Sequence, residues 1–431
     1  MRTIGEIKNI LHHGNVDRQL AHLYCRTVES IEPFRNRIIH VIEGYETTFS
    51  RDDSAQAAVY SAPGRTEIGG NHTDHQRGKV LTGSVDLDAL ACAAPNNSTI
   101  INVFSEGYGL TTIDIADLAP VKEEENTTKA IIRGVVAKIG AMGYPVSGFD
   151  AYVISDVPGG SGLSSSACFE VLLGTAVNGL FCESRLSMVE IAKIGQYAEN
   201  IFFGKPSGLL DQMGCALGGI VAIDFFDKNE PKITPVRFDF SSAGHALCII
   251  DTGADHADLT GDYAAVPAEM KSVAAAFGKE VLCEVDEDDF YKVVPELRKN
   301  LGDRAVMRAI HYYTECHRVE KMVAALEHDD FTMFLRLVSS SGHSSYMYLQ
   351  NVDTYRDPKH QPVALALAMA GYYLNNRGAR RVHGGGFAGT IQAFVPLNMV
   401  GEFKTGMDAL LGEDACRVTY IRPIGGCTLI D

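Results

Sequence analysis

The 431-residue chain predicts a protein of two domains that combines helices with β-sheet. The length exceeds what one ordinary hydrophobic core organises, so two are expected. An apolar content of 46% beside a charged content of 21% is ordinary for a globular chain. Helix-spaced and strand-like runs alternate along it, and no fixed-period repeat or Pro- or Gly/Ser-rich linker marks a boundary. Composition by itself permits many such architectures.

Residues 1–50 hold segments such as "DRQLAHLYCRTVESIEPF" with helical spacing, expected to pack as an amphipathic lead-in outside the main body. The pattern changes near Ala58, where "AAVYSAPGR" reads as a short strand entering a Pro-Gly turn. Strand-like runs follow in "LTGSVDLDALACAA", "TIINVFS" and "FDAYVIS". Between them "TTKAIIRGVVAKIGAMG" has helical periodicity and a glycine stop, and the acidic "KEEEN" at 122–126 reads as a solvated loop. Residues 164–203 read as two helices, the second opened by a capping box from Ser187 to Glu190 and stopped at Gly204. The runs "GGIVAIDFF" and "HALCIID" read as strands, 264 to about 377 as helix-rich, and "TIQAFVP" and "CRVTYIRPI" as strand again. The domain division is placed near residue 230: a helical extension over 1–50, then domains 51–230 and 231–431.

A balance of 38 basic against 54 acidic residues, formally −16, argues against a sequence-independent grip on nucleic acid or an anionic membrane. It still allows a local basic pocket for phosphate. The ten cysteines are scattered singly without a Cys-x-x-Cys pair, which reads as buried thiols in a reducing compartment. The first residues carry charges among their apolar positions and do not read as a signal peptide, and no apolar run approaches the ~20 residues of a membrane helix. A cytoplasmic location is expected.

Four runs carry chemistry. "PGRTEIGGNHTDHQRG", residues 63–78, crowds Arg65, Glu67, His72, Asp74 and His75 onto a glycine-rich backbone, as a small hydroxylated ligand would require. His72 and His75 with Asp74 could ligate a transition metal, but no fourth ligand accompanies them and a glycine-rich turn holds metals poorly. A hydrogen-bonding role is preferred. "DVPGGSGLSSSACFEVLLGTAVNGL" passes from a strand-like run through glycines and serines into an apolar helix. Such a turn offers backbone amides to a phosphate and hydroxyls to phosphate oxygens or Mg²⁺. It lacks the Gly-Lys-Ser/Thr ending of a Walker loop, and a flexible connector is the alternative. In "AENIFFGKPSGLLDQMG", Glu199 and Asp211 arrive from a helix end and the adjoining turn, so one could serve a metal and the other a substrate hydroxyl. The fourth, "RRVHGGGFAGTIQAFVP", formally contains Gly-x-Gly-x-x-Gly. A strand-like run follows it and no acidic ribose partner does, so a loop closing over a ligand is preferred to a dinucleotide site.

Together these runs resemble the GHMP family of small-molecule kinases, and within it the galactokinases. "PGRTEIGGNHTDHQRG" is similar to the signature Gly-Arg-x-Asn-Leu-Ile-Gly-Glu-His-Thr-Asp-Tyr, "PGGSGLSSSA" to the phosphate loop, "AENIFFGKPSGLLDQ" to the stretch with the catalytic aspartate, and "HGGGFAGTIQAFV" to the third motif. "RAIHYYTECHRV" and "SSSGHSSYMYLQN" look like further galactokinase segments, so the likeness spans about residues 58 to 431 in family order. The resemblance implies an α+β fold of two domains, the first like a ribosomal protein S5 domain 2 and the second ferredoxin-like, with the active site between them. It implies ATP-dependent phosphorylation of a sugar's anomeric hydroxyl, galactose first, with Mg²⁺. Residue by residue, Asp211 faces that hydroxyl with Arg65 beside it. Asn71, His72, Asp74 and Tyr263 line the sugar site. The loop Gly159, Gly160, Ser161, Gly162, Leu163, Ser164, Ser165 and Ser166 holds ATP, and Ser166 and Glu199 hold the metal. The implied partners are the sugar and ATP, with no nucleic acid or membrane, on a monomer or weak homo-oligomer.

The signature departs from the family in places that bear on specificity. Asn71 stands where galactokinases have glutamate, Glu67 where they have asparagine and His75 where they have tyrosine, and "AAVPAEM" after Tyr263 lacks the usual arginines. Exchanging a carboxylate for an amide changes which hydroxyl is satisfied, so Asn71 is expected to select the sugar. The alternatives are a kinase for a related sugar, such as arabinose or N-acetylgalactosamine, and a sugar- and ATP-binding sensor without catalysis. Intact "SSSA", Glu199 and Asp211 speak against the sensor.

Overall fold

The computed structural model describes residues 1–159, 162–227, 229–240, 242–254 and 259–431. The chain opens with a short strand, β1 (Arg2–Thr3), and three helices, α1 (Ile4–His12), α2 (Asp17–Leu23) and α3 (Glu32–Phe49). Thr3 and Glu6 close a capping box at the head of α1. The apolar stripe read in the sequence is buried as expected: Ile7, Leu11, Leu20, Ile38 and Val41 pack against the sheet behind them.

That sheet contains β2 (Gln56–Gly69), β3 (Lys79–Pro95), β4 (Ile100–Ser105), β5 (Gly109–Asp114) and, after helix α4 (Thr128–Ala141), β6 (Phe149–Ser155). Helices α5 (Ser165–Phe181), α6 (Met188–Tyr197) and α7 (Leu210–Leu217) follow, then strands β7 (Ile220–Asp224) and β8 (Lys232–Val236). The order is β1-β2-β3-β6-β4-β5, with β7 on the far half of β3 and β8 on β7. Side chains alternate across the sheet with the two-residue period of a strand. Ala89, Ala91 and Ala93 of β3 join the core with α4 to α7, whereas Leu90, Cys92 and Ala94 join the core with the N-terminal helices. Burial on both faces is why "ALACAA", residues 89–94, is continuously apolar.

The second half adds β9 (His245–Asp251), α8 (Thr260–Ala275), α9 (Glu287–Lys292), α10 (Val294–Leu301), α11 (Asp303–Glu327), α12 (Phe331–Ser344) and α13 (Pro362–Leu374). It continues through β10 (Ala379–His383), β11 (Thr390–Pro396), α14 (Val400–Leu411), β12 (Cys416–Thr419) and β13 (Cys427–Ile430). Four of these strands form an antiparallel sheet in the order β10-β11-β9-β12. The last strand, β13, returns to the first sheet beside β2.

Several local expectations change. The turn expected at Pro63–Gly64 is absent, because β2 runs on to Gly69 through shifts in pairing register at Pro63/Arg65 and Glu67/Gly69. A bulge is where a strand tolerates a proline that cannot donate to the ladder. Gly64 also lets the carbonyl of Leu163 reach the Arg65 amide at 3.1 Å. Strands β5, β8, β10 and β13 were not read from the sequence. "GLTTID" and "ARRVH" lack a clean apolar alternation, and "KITPV" carries a proline on an edge strand. Within the acidic run, Glu124 forms a two-pronged ion pair with Arg133 at 2.7 and 2.8 Å instead of facing only solvent. All ten cysteines are free, but Cys25 is exposed and Cys283, Cys316 and Cys427 are only partly buried.

Two polar knots tie distant segments together. Arg422 and Asp88, both fully buried, pair at 2.8 Å, and Asp88 also accepts from Arg37 at 2.8 Å and Tyr24 at 2.7 Å. Helices α2 and α3, strand β3 and the C-terminal tail therefore share one carboxylate. Asp88→Ala would leave Arg422 buried without a counter-charge and should cost about 3–5 kcal/mol, read as a shift in the urea midpoint; an unchanged midpoint contradicts the knot. The other knot holds the end of β2. The Glu67 amide donates to His383 Nε2 at 3.2 Å, and His383 Nδ1 lies 2.9 Å from Thr390 Oγ1. An acceptor nitrogen facing an N–H requires a neutral ring, and burial, then Arg65, hold His383 well below its ordinary value. The unfolded chain therefore binds a proton that the folded chain refuses: this stability is present above about pH 6.5 and is lost as pH falls. Against His383→Gln, the wild type should lose up to about 1.4 kcal/mol per pH unit below 6.5 in urea unfolding. A pH-independent difference contradicts the assignment.

Candidate active site

The end of β2, the loop after it, and the turn before α7 meet in a cavity of about 110 Å³ lined by Arg65, Glu67, Asn71, His72, Asp74, Lys205, Gly208, Asp211, Tyr263 and Gly385. Arg65 is buried and points two N–H groups at Asp211 Oδ1, at 3.0 Å from Nε and 2.7 Å from Nη2. Its Nη1 donates to the carbonyl of Gly162. Ser164 Oγ donates to Asp211 Oδ2 at 2.7 Å. Burial pushes the Asp211 carboxyl up, but the Arg65 guanidinium and the Ser164 hydroxyl outweigh it and hold the group below its ordinary value.

The Ser164 bond has a second effect. Ser164 is the residue before the first turn of α5, with a left-handed φ of 58°, and its side chain makes no cap to that helix. Among the described residues, the amides at the head of this 17-residue helix have no side-chain partner. Beside them lies a second cavity of about 310 Å³, lined by Ser105, Tyr108, Asn126, Gly159, Ser165, Ser166, Phe169 and Phe203. Gly162, with φ 69°, turns the chain between the two cavities. Of the expected phosphate-loop residues, Gly159, Ser165 and Ser166 line this cavity, Leu163 is buried, Gly162 and Ser164 bond Arg65 and Asp211, and Gly160 and Ser161 lie outside the described residues.

His72 Nε2 lies 2.8 Å from the carbonyl oxygen of Gly385, so it carries the proton and Nδ1 is a bare acceptor without a protein partner. Burial, then His75, lower its pKa to about 3, keeping the ring neutral. The Tyr263 ring lies tilted beside it at 55°, with ring centroids 5.2 Å apart. Asp74 leans over Gly208, where a Cβ would stand 2.1 Å from Asp74 Oδ2. The glycine loop after β10 closes on the cavity as expected: Gly384 and Gly385 offer carbonyls to Asn71 and His72. At Gly386, φ is +78° and a Cβ would meet the Asn351 carbonyl at 2.0 Å, so only glycine fits. Asn71 is wholly buried in this wall.

Glu199 stands in a wide π-turn, Ala198–Phe203, that extends α6. Its carboxylate pairs with Lys205 at 2.8 Å and accepts from Gln212 Nε2 at 2.9 Å. Gln212 also bonds Glu170, whose Oε1 is buried without a partner and which follows Ser166 by one helical turn. Burial, then Glu199, push Glu170 well above the usual carboxylate range. These donors are all oxygens, the kind that suits Mg²⁺ when phosphate completes its shell. Among the described residues, no three His, Cys, Asp or Glu side chains cluster as a metal cage. Of the lining residues, the sequence marks Glu67 without giving it a place in the site and does not mark Lys205. The exchange of Glu67 with Asn71 within the signature was the available signal for the first; nothing marked Lys205.

Comparison with known proteins places this geometry. Residues 126–219 match the GHMP kinases N terminal domain, and residues 43–95 match the galactokinase galactose-binding signature. The chain is 32% identical over 294 residues to a galactokinase of Streptomyces coelicolor, covering 67% of this chain and 73% of that protein. It is 31% identical over 348 residues to one from Glaesserella parasuis, covering 80% and 86% respectively. In structure it is similar to a Lactococcus lactis galactokinase solved in complex with galactose, with a TM-score of 0.76 at 22% identity over 90% of this chain and 99% of that one. A mevalonate kinase from L. major matches with a TM-score of 0.58 at 14% identity over 86% and 97%. The two sheets and their helices are thus the two-domain fold of the GHMP kinases, and the chain belongs to the galactokinase family.

Proposed function

We propose that this protein transfers the γ-phosphoryl group of ATP to the C1 hydroxyl of galactose or a close stereochemical relative. The observation that carries this reading is Asp211, fixed between Arg65 and Ser164 where the sugar-sized cavity meets the uncapped end of α5. Phosphoryl transfer needs little covalent help, so positioning and charge neutralisation dominate. Asp211, ionised and oriented, accepts a hydrogen bond from the C1 hydroxyl. As the C1 oxygen bonds to phosphorus and the β–γ bridging bond breaks, the hydroxyl proton passes to Asp211 and ADP leaves. With its pKa held low, Asp211 contributes orientation more than basicity. Arg65 cannot lose its charge and offsets the negative charge of the transferring group. Asp74 supplies an acceptor for ring hydroxyls, with His72 and Tyr263 as walls. The α5 amides and the loop before them receive the phosphates, and the 310 Å³ cavity receives the nucleoside. Mg²⁺, held by Ser166 and Glu199, would neutralise phosphate charge. The exchanged Glu67 and Asn71 favour a sugar related to galactose as a second substrate reading.

A coupled ADP-release screen over free aldoses tests the reading. Turnover of galactose or a relative is expected; binding of one sugar with no ADP release from any would favour a non-catalytic sensor. Asp211→Asn should lower kcat by at least about 10²-fold while ATP still binds. Full turnover in that variant would remove the assignment. Gly208→Ala pushes Asp74 aside and should raise the sugar KM about tenfold with little change in ATP affinity. An unaltered KM would place Asp74 outside the sugar contacts.

A further inference from the structure

We propose that Glu67, not Asn71, is the specificity-determining residue that reads a ring hydroxyl of the substrate, and that Asn71 is an internal brace of the pocket wall. The proposal rests on the reading of the 110 Å³ cavity as a sugar site.

A side-chain amide has two N–H donors and one carbonyl that accepts twice. Asn71 has filled all four places with protein. Its Nδ2 donates to the Gly384 carbonyl at 2.6 Å and to Glu67 Oε1 at 3.1 Å. Its Oδ1 accepts from Asn351 Nδ2 at 2.8 Å and Ser345 Oγ at 3.3 Å. The partners also fix which way the amide faces, since a flip would set oxygen against the Gly384 and Glu67 oxygens. With 0% of its surface exposed, Asn71 has nothing left to offer a sugar.

Glu67 is the opposite case. Its Oε1 takes both protein bonds, from Asn71 and from Arg381 Nη2 at 2.7 Å. Oε2 has no protein hydrogen bond among the described residues, and it is not one of the sealed, partnerless buried atoms, so it opens to the cavity that Glu67 lines. The group is rigid: Arg381 fixes the carboxylate, while His383 and Gln392 hold the backbone on either side. Burial pushes the Glu67 carboxyl up and the Arg381 and Arg65 guanidinium groups oppose it; paired with Arg381, the carboxylate offers Oε2 as an acceptor to a hydroxyl. The substrate class is therefore an aldose with a free hydroxyl at the carbon facing Glu67, and deoxy or acylated analogues at that carbon are rejected. Within the family signature the glutamate and asparagine stand exchanged in this chain, so the carboxylate meets the ring from the position of residue 67.

The test compares wild type with Glu67→Gln, nearly equal in size, on the best aldose of the screen and its monodeoxy series. Wild type should lose at least about 10²-fold in kcat/KM at one deoxy position through Glu67. Glu67→Gln should erase most of that penalty and leave the others in place. A penalty profile parallel to wild type at every position overturns the proposal. A second measurement needs no variant: in wild-type crystals soaked with the sugar, a hydroxyl oxygen should lie within about 3.2 Å of Glu67 Oε2. A sugar that bonds Asn71 and leaves Glu67 Oε2 untouched overturns it. If wild type phosphorylates no aldose, the kinase reading fails, and the soaked crystal still reports on Glu67 alone.

Discussion

The buried guanidinium of Arg65 facing Asp211 is the constraint on which the rest of the molecule depends. A cation taken from water needs its counter-charge and hydrogen bonds close by, or the fold loses several kcal/mol. Arg65 finds them on two different segments, the Gly162 carbonyl and the Asp211 carboxylate. Strand β2, the turn into α5 and the turn into α7 are thus joined at the point where phosphate and sugar would meet. Burial pushes the Asp211 carboxyl up, and Arg65 together with the Ser164 hydroxyl more than offsets it, holding the group below its ordinary value.

The same strand end is gripped from the other half of the molecule. Arg381 and His383 of β10 and Gln392 of β11 hold Glu67 and Thr66, while Glu315 and His311 of α11 bond the Gly70 amide and the Asn71 carbonyl. The second sheet therefore forms one wall of the cavity directly, and its glycine loop supplies carbonyls at the rim. The cavity wall and the junction of the two halves rest on shared groups, so substitutions here couple stability to the shape of the cavity.

Features set by local chemistry were legible in the sequence. The Ser187–Glu190 box, the helix running to the glycine after Met142 and the N-terminal stripe depend on residues within a few positions, and all appear. The strand-like character of β3 was legible for the same reason. What the sequence could not disclose lies in long-range pairing. Asn71 is committed to Gly384, 313 residues away, and to Asn351, 280 away, and no pattern near Asn71 foretells either. Ser164 reads as part of a phosphate loop, yet its hydroxyl turns to Asp211. Pro63 reads as a turn because proline usually interrupts a ladder, and only the register shift in β2 reconciles it with a strand.

Chemistry at the anomeric carbon is the central claim, and the phosphorylated product tests it most directly. Phosphorus and proton NMR of the sugar product formed from ATP should show the new phosphorus coupled to the anomeric proton of a 1-phosphate. Coupling instead to the protons of another carbon, or inorganic phosphate as the only product, would contradict a site in which Asp211 addresses the C1 hydroxyl.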